Sequence, residues 1–269
     1  MLTTDPIGKN NVVVKGNLHA RETIIFSNGF GTEQSVWDKV ITPFLENYRI
    51  ILYDLAGSGK SDMNAFSSHK YDSLRVHADD LIDICKRMLV KDAIFIGHSV
   101  SGMIGMLAAI KAPQYFSKMV FISASPRYIN ADEYVGGFTQ ETLDELYRNM
   151  ETNYFAWISG FAPMTMLNSD KPELAEGFLQ TLSAIRPDVA VSVVRTIFQS
   201  DYRSSLKELT KPALLIHCDN DMAVPVTVGA YMNEHIPNSQ LELIAAEGHY
   251  PHVSAPEAVI KAIQRFIEV

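Results

Sequence analysis

Residues 94–105 read "IFIGHSVSGMIG", with a glycine, a histidine and a serine set between two apolar stretches. A strand that ends at Gly97, a tight turn that holds one serine and a helix that starts at Val100 would expose a nucleophilic hydroxyl at a sharp corner. Such a corner needs small residues two positions before and two after the serine, because strand and helix pass close together there. Around Ser99 those positions hold Gly97 and Ser101, so the stretch reads G-H-S-V-S where glycine is the usual last member. Taking Ser101 as nucleophile would require glycine at position 99, which is absent. Ser99 is therefore the candidate, against the plainer reading of a serine that caps a buried helix.

A serine hydroxyl needs a base, and the base needs an acid to orient it. After the apolar run "LLIHC" the chain continues "DNDMAVP". Pro225 suits the first turn of a following helix, which places Asp221 at the loop apex and leaves Asp219 as a turn-former. Farther on, "LELIAAEGHYPHVS" supplies His249 and His252. His249 follows a glycine that lets the chain turn, and it is the candidate base. The acyl-transfer chemistry that a Ser99–His249–Asp221 set would perform also needs donors for an oxyanion. One is the Val100 N–H. The other is expected from Phe30, after the Asn28-Gly29 turn in "IIFSNGFGTEQSVW".

Three other patterns suggest different chemistry and do not hold. "DLAGSGKSD" contains G-K-S, but Asp54 stands where a phosphate-binding loop needs its first glycine, and Asp62 stands where a dinucleotide fingerprint needs its third. His249 and His252 have the spacing of a metal pair without further ligands at clear spacing, so no metal and no cofactor is expected.

The elements that must carry these residues follow from periodicity. Short apolar runs at 11–16, 23–27, 48–54, 92–97, 118–124, 212–218 and 240–246 read as strands. Helical patterns lie near 34–45, 72–89, 100–111, 225–235 and 255–267. The alternation implies an α/β protein with a mostly parallel central sheet and helices on both faces. Between about 135 and 200 there is no strand candidate, and the text is helical and rich in Phe, Trp, Tyr and Met. This span is expected to form a cap at 135–200 over the carboxyl ends of the strands, with a core of 1–134 and 201–269. The 269 residues are 47% hydrophobic and 20% charged, with a formal net charge of −8. That charge, without a Lys/Arg cluster, argues against nucleic acid. No apolar run is long enough to span a membrane, and the N-terminus lacks the pattern of a signal peptide. Two well-separated cysteines suit a reducing cytoplasm.

Several stretches together carry a resemblance: "GFGTEQSVW", "DLAGSGKSD", "GHSVSGMIG", "SASPRYIN", "GGF", "RPDVAVSVVRTIFQSD" and "GHYPHVS". The chain resembles the α/β-hydrolase superfamily, and within it the RsbQ-like subfamily, which groups a bacterial stress-response regulator with the plant karrikin and strigolactone receptors. The resemblance implies a four-helix cap and puts Ser99, Asp221 and His249 at the triad positions, with Phe30 and Val100 as oxyanion donors. It implies a ligand pocket lined by Phe30, Tyr128, Phe138, Leu146, Trp157, Phe161 and Phe198. On spacing alone those aromatics would read as core. It further implies slow hydrolysis of a small hydrophobic ester or lactone in the service of signalling. In RsbQ-type systems the responding partner is a PAS-domain protein phosphatase that activates a stress sigma factor. A monomer is expected. Serine rather than aspartate at 99 argues against haloalkane dehalogenase and epoxide hydrolase chemistry. Two other readings stand beside this one: a ligand-binding signalling module without relevant turnover, and an ordinary metabolic carboxylesterase.

Overall fold

The computed structural model describes residues 5–268. Residues 1–4 and 269, at the outer bounds of the core span read from the sequence, lie outside the described residues. Each of the seven apolar runs forms a strand: β1 Val13–Gly16, β2 Thr23–Ser27, β3 Arg49–Tyr53, β4 Ala93–His98, β5 Phe116–Ile122, β6 Ala213–Asn220 and β7 Ser239–Glu247. They make one sheet in the order β1-β3-β2-β4-β5-β6-β7. β1 runs antiparallel to β3, and every other pairing is parallel. Central strands β2 and β4 are buried along their whole length, which is why their sequences are continuous apolar runs rather than alternating ones.

Eleven α-helices accompany the sheet among the described residues: α1 Pro6–Lys9, α2 Asp38–Ile41, α3 Leu74–Arg87, α4 Val100–Lys111, α5 Gln140–Thr152, α6 Tyr154–Met166, α7 Pro172–Ser183, α8 Pro187–Phe198, α9 Val226–His235, α10 Pro251–Ser254 and α11 Pro256–Ile267. Ile24 and Phe26 of β2 pack on one face with Trp37, Phe44 and the α11 residues Val259, Ile263 and Phe266. Ile25 points the other way, into the cluster built by α3, α4 and α9. This division follows from the two-residue period of a strand. Helices α5–α8 occupy the chain between β5 and β6.

Two local outcomes differ from simple periodicity. The pattern at 34–45 is not one helix. It breaks into 3₁₀ turns at Gln34–Trp37 and Thr42–Phe44 flanking α2, and at the second of these Pro43 has no N–H to continue an α-helical ladder. Helix α3 buries a charge on its inner face: Asp80 pairs with Lys9 of α1 and accepts a hydrogen bond from the Tyr71 hydroxyl at 2.8 Å. That pair ties α1 to α3. Cys85 and Cys218 are buried free thiols.

Candidate active site

Because β2, β4, β6 and β7 are parallel, their carboxyl ends meet at one edge of the sheet. β4 delivers Ser99, β6 delivers Asp221, β7 delivers His249, and β2 leads into Phe30. Ser99 and His249, 150 positions apart, come together there. The Ser99 hydroxyl donates to His249 Nε2 at 2.8 Å, and His249 Nδ1–H donates to Asp221 Oδ2 at 2.8 Å. The other Asp221 oxygen accepts the N–H groups of Ala223 (2.8 Å) and Val224 (3.1 Å). Burial alone would raise the Asp221 carboxyl. The adjacent His249 ring and the two amides outweigh it and hold the carboxyl below the usual carboxylate range. Asp221 is therefore an anion placed to orient an imidazole, whereas Asp219 lies exposed in β6.

Ser99 has φ 55° and ψ −123°, a conformation that a side chain rarely adopts, and it opens α4 at once. The close approach that demands small residues is visible at Gly97. A Cβ there would lie 2.7 Å from the carbonyl oxygen of Ser101. Position 101 contacts Gly97 through its backbone, so its own side chain is free to do something else. Among Tyr53, Ser27 and Ser101, all fully buried, one chain of hydrogen bonds gives each hydroxyl a single donation. Tyr53 donates to Ser27 Oγ (2.7 Å), Ser27 to Ser101 Oγ (2.8 Å), and Ser101 to the Asn28 carbonyl (2.6 Å). Serine at 101 thus anchors the turn that leads to Phe30, which accounts for the departure from glycine.

That turn abuts the nucleophile: a Cβ on Gly29 would stand 3.2 Å from Ser99 Cβ. The Tyr250 hydroxyl donates to the Phe30 carbonyl at 3.0 Å and fixes the same segment. Neither the Phe30 nor the Val100 N–H donates to another of the described residues. The Tyr128 hydroxyl stands 3.4 Å from Ser99 Oγ, donating toward it, and burial raises its pKa so that it stays protonated.

Above Ser99 and His249 lies a cavity of about 60 Å³. Of the seven residues expected to line a pocket, Phe30, Tyr128, Phe138, Leu146, Phe161 and Phe198 face it. Trp157 does not. It stacks on Phe161 with ring centroids 4.5 Å apart and lines a wider, open groove between α5 and α6. Groove and cavity share Phe138, Leu146, Phe161, Met164 and Met222, so the groove leads down to the serine. Met222 and Tyr250 also line the cavity, and neither carries a signal in the sequence beyond being the chain neighbour of Asp221 and of His249. The rejected phosphate-loop segment is structural: the Asp54 carboxylate accepts the N–H groups of Gln34 (2.8 Å) and Lys60 (3.0 Å). His252 is fully buried against Trp37, and no group of three metal-ligating side chains occurs among the described residues. Nor is any helix among them long and apolar enough to cross a membrane.

The parallel sheet, the strained serine corner and the serine–histidine–aspartate contact define a class, and a family model described as alpha/beta hydrolase fold matches residues 22–256. The chain belongs to the α/β-hydrolase fold family. It is 43% identical over 249 residues to a protein of Oryza sativa subsp. japonica named as a probable esterase, a match that covers 92% of each chain. It is 41% identical over 260 residues to "Karrikin insensitive 2 receptor IA" of Petunia hybrida, covering 96% of this chain and 95% of that one. Among solved structures it is similar to olei00960, a hydrolase from Oleispira antarctica, with a TM-score of 0.94, 34% identity and coverage of 98% and 96% of the two chains.

Proposed function

We propose that this protein is a serine hydrolase that slowly cleaves a small, neutral, hydrophobic ester or lactone, and that occupation and turnover of its pocket serve signalling. The observation that carries the reading is the buried chain Ser99–His249–Asp221 beneath an apolar cavity. His249 takes the Ser99 proton as Oγ attacks the carbonyl carbon, and Asp221 holds the imidazole in the tautomer that can accept it. The Phe30 and Val100 amides receive the oxyanion. The imidazolium then gives its proton to the departing alkoxide, and a water activated by the same base releases the acid. The cavity is small for a whole ligand and suits the acyl portion, while the rest of the molecule lies in the groove between α5 and α6. We take residues 135–200 as the cap that forms this groove.

The signalling half of the reading rests on likeness to proteins named as a karrikin receptor and as a probable esterase. On the RsbQ-type pattern that the sequence resembles, the responding partner is a PAS-domain phosphatase in a stress sigma-factor pathway, and the setting is cytoplasmic. The test is hydrolysis of p-nitrophenyl acetate by the protein and by Ser99→Ala. Turnover well below the usual enzyme range of about 1–10³ s⁻¹ that disappears in the variant is the expected result. Turnover that survives in Ser99→Ala overturns the assignment, and a rate inside that range favours a metabolic esterase.

A further inference from the structure

One imidazole ties together the segments that carry the nucleophile, the base and the oxyanion turn, and the hydrolytic steps above leave it without a task. His98 ends β4 immediately before Ser99 and is fully buried. Its Nε2 lies 2.7 Å from the carbonyl oxygen of His249. A carbonyl only accepts, so Nε2 carries the hydrogen and donates it. On the opposite edge the ring lies against Gly29, where an added Cβ would fall 2.4 Å from His98 Nδ1. Gly29 immediately precedes Phe30, and the contact leaves no room for any other residue there.

We infer that His98 is a positioning residue that sets the height of the catalytic imidazole over Ser99 by holding the His249 carbonyl, while its ring buttresses the oxyanion turn at Gly29. The His249 peptide is held from both ends. Its N–H donates to the Thr165 carbonyl at 2.9 Å, and its C=O accepts from His98. Freed from His98, the carbonyl would be able to rotate, and the Ser99–His249 contact of 2.8 Å would lengthen or lose alignment. The role needs a neutral ring with the hydrogen on Nε2. Burial, reinforced by the neighbouring His252 and His249 rings, keeps His98 from protonating, and only the bond to the His249 carbonyl works the other way. The rings that face it are those of His252 (4.4 Å between centroids), Tyr250 (4.7 Å) and His249 (5.0 Å).

The inference rests on the serine-hydrolase reading, and three variants test it. In His98→Gln the amide nitrogen stands the same number of bonds from Cα as Nε2 does, so the donation to His249 is retained. In His98→Asn it falls one bond short, and His98→Phe fills the space with no donor. With p-nitrophenyl acetate, Asn and Phe are expected to lower kcat by about ten- to hundredfold, as misplacement by less than an ångström or so does. KM should stay within about twofold, since no ligand contact is lost, and His98→Gln should recover most of kcat. Urea unfolding of each variant reports whether it folds. If Phe fails to fold, the Asn–Gln pair decides.

A merely structural histidine would give equal losses in Gln and Asn that track stability. That result overturns the inference, as does unchanged kcat in His98→Asn. In both cases Ser99-dependent hydrolysis in the parent protein leaves the hydrolase reading standing. A parent protein inert to the ester and to a fluorophosphonate that labels active serines would overturn both.

Discussion

Ser101→Ala removes a single oxygen from a place the sequence presents as a slightly wrong glycine. The oxygen sits in the fully buried relay Tyr53–Ser27–Ser101–Asn28, in which it accepts once and donates once. Alanine leaves the Ser27 hydroxyl without an acceptor and the Asn28 carbonyl without its donor. Each buried group left unmatched costs about 1–3 kcal/mol, so the pair should cost about 3 kcal/mol. For a chain of this size that lowers Tm by about 6–12 °C. Ser101→Gly, which restores the usual motif, should be no better, because it loses the same hydroxyl and adds about 0.5–1 kcal/mol of backbone entropy. Urea unfolding gives the free energies, and hydrolysis of p-nitrophenyl acetate gives the second readout. Ester turnover should persist in Ser101→Ala at a reduced rate, since the loosened Asn28 turn carries Phe30. A loss under about 0.5 kcal/mol, or a glycine variant more stable than the parent, would refute the relay. Complete loss of turnover with stability intact would make Ser101 the nucleophile.

The remaining predictions concern charge. Asp221→Asn keeps the shape of the loop but can no longer hold His249 as an Nδ1–H donor, and kcat should fall by about 10⁴-fold, as in other triads that lose the carboxylate. The Asp221 carboxyl titrates below its unfolded value, so it adds stability above roughly pH 4 that is lost as pH falls further. Urea titrations of the Asn variant should show a shallower acid limb there. His77, His217 and His252 are buried with pKa values lowered to about 4, 4 and 3. Unfolding therefore takes up protons once pH drops below about 6.5, and each such histidine adds about 1.4 kcal/mol per pH unit to the loss of stability down to its folded pKa. A urea midpoint that does not change between pH 6.5 and 4 would contradict their burial as neutral rings.

The strands and the order of the candidate residues were legible because both are local. A buried parallel strand must be apolar throughout, and "AIFIG" or "LLIHC" meets that demand without reference to any partner. Likewise Gly97 and Ser99 belong to one turn whose sterics the local sequence states, and parallel strands bring their carboxyl ends to one edge whatever the loops do. The helices between β5 and β6 showed their presence by composition, but which aromatic faces the serine depends on how α5 and α6 lie against the sheet. Hence Phe161 lines the cavity while Trp157, one turn earlier on the same helix, lines the outer groove. The use of Ser101 and His98 was equally out of reach. Their partners Asn28 and His249 lie 73 and 151 residues away, and a hydrogen bond over such a separation leaves no period or spacing in the chain. Sequence alone determined which residues could do chemistry and that they would share an edge. Tertiary packing decided the distances, because a bond of 2.8 Å between strand ends is set by the twist and spacing of the whole sheet.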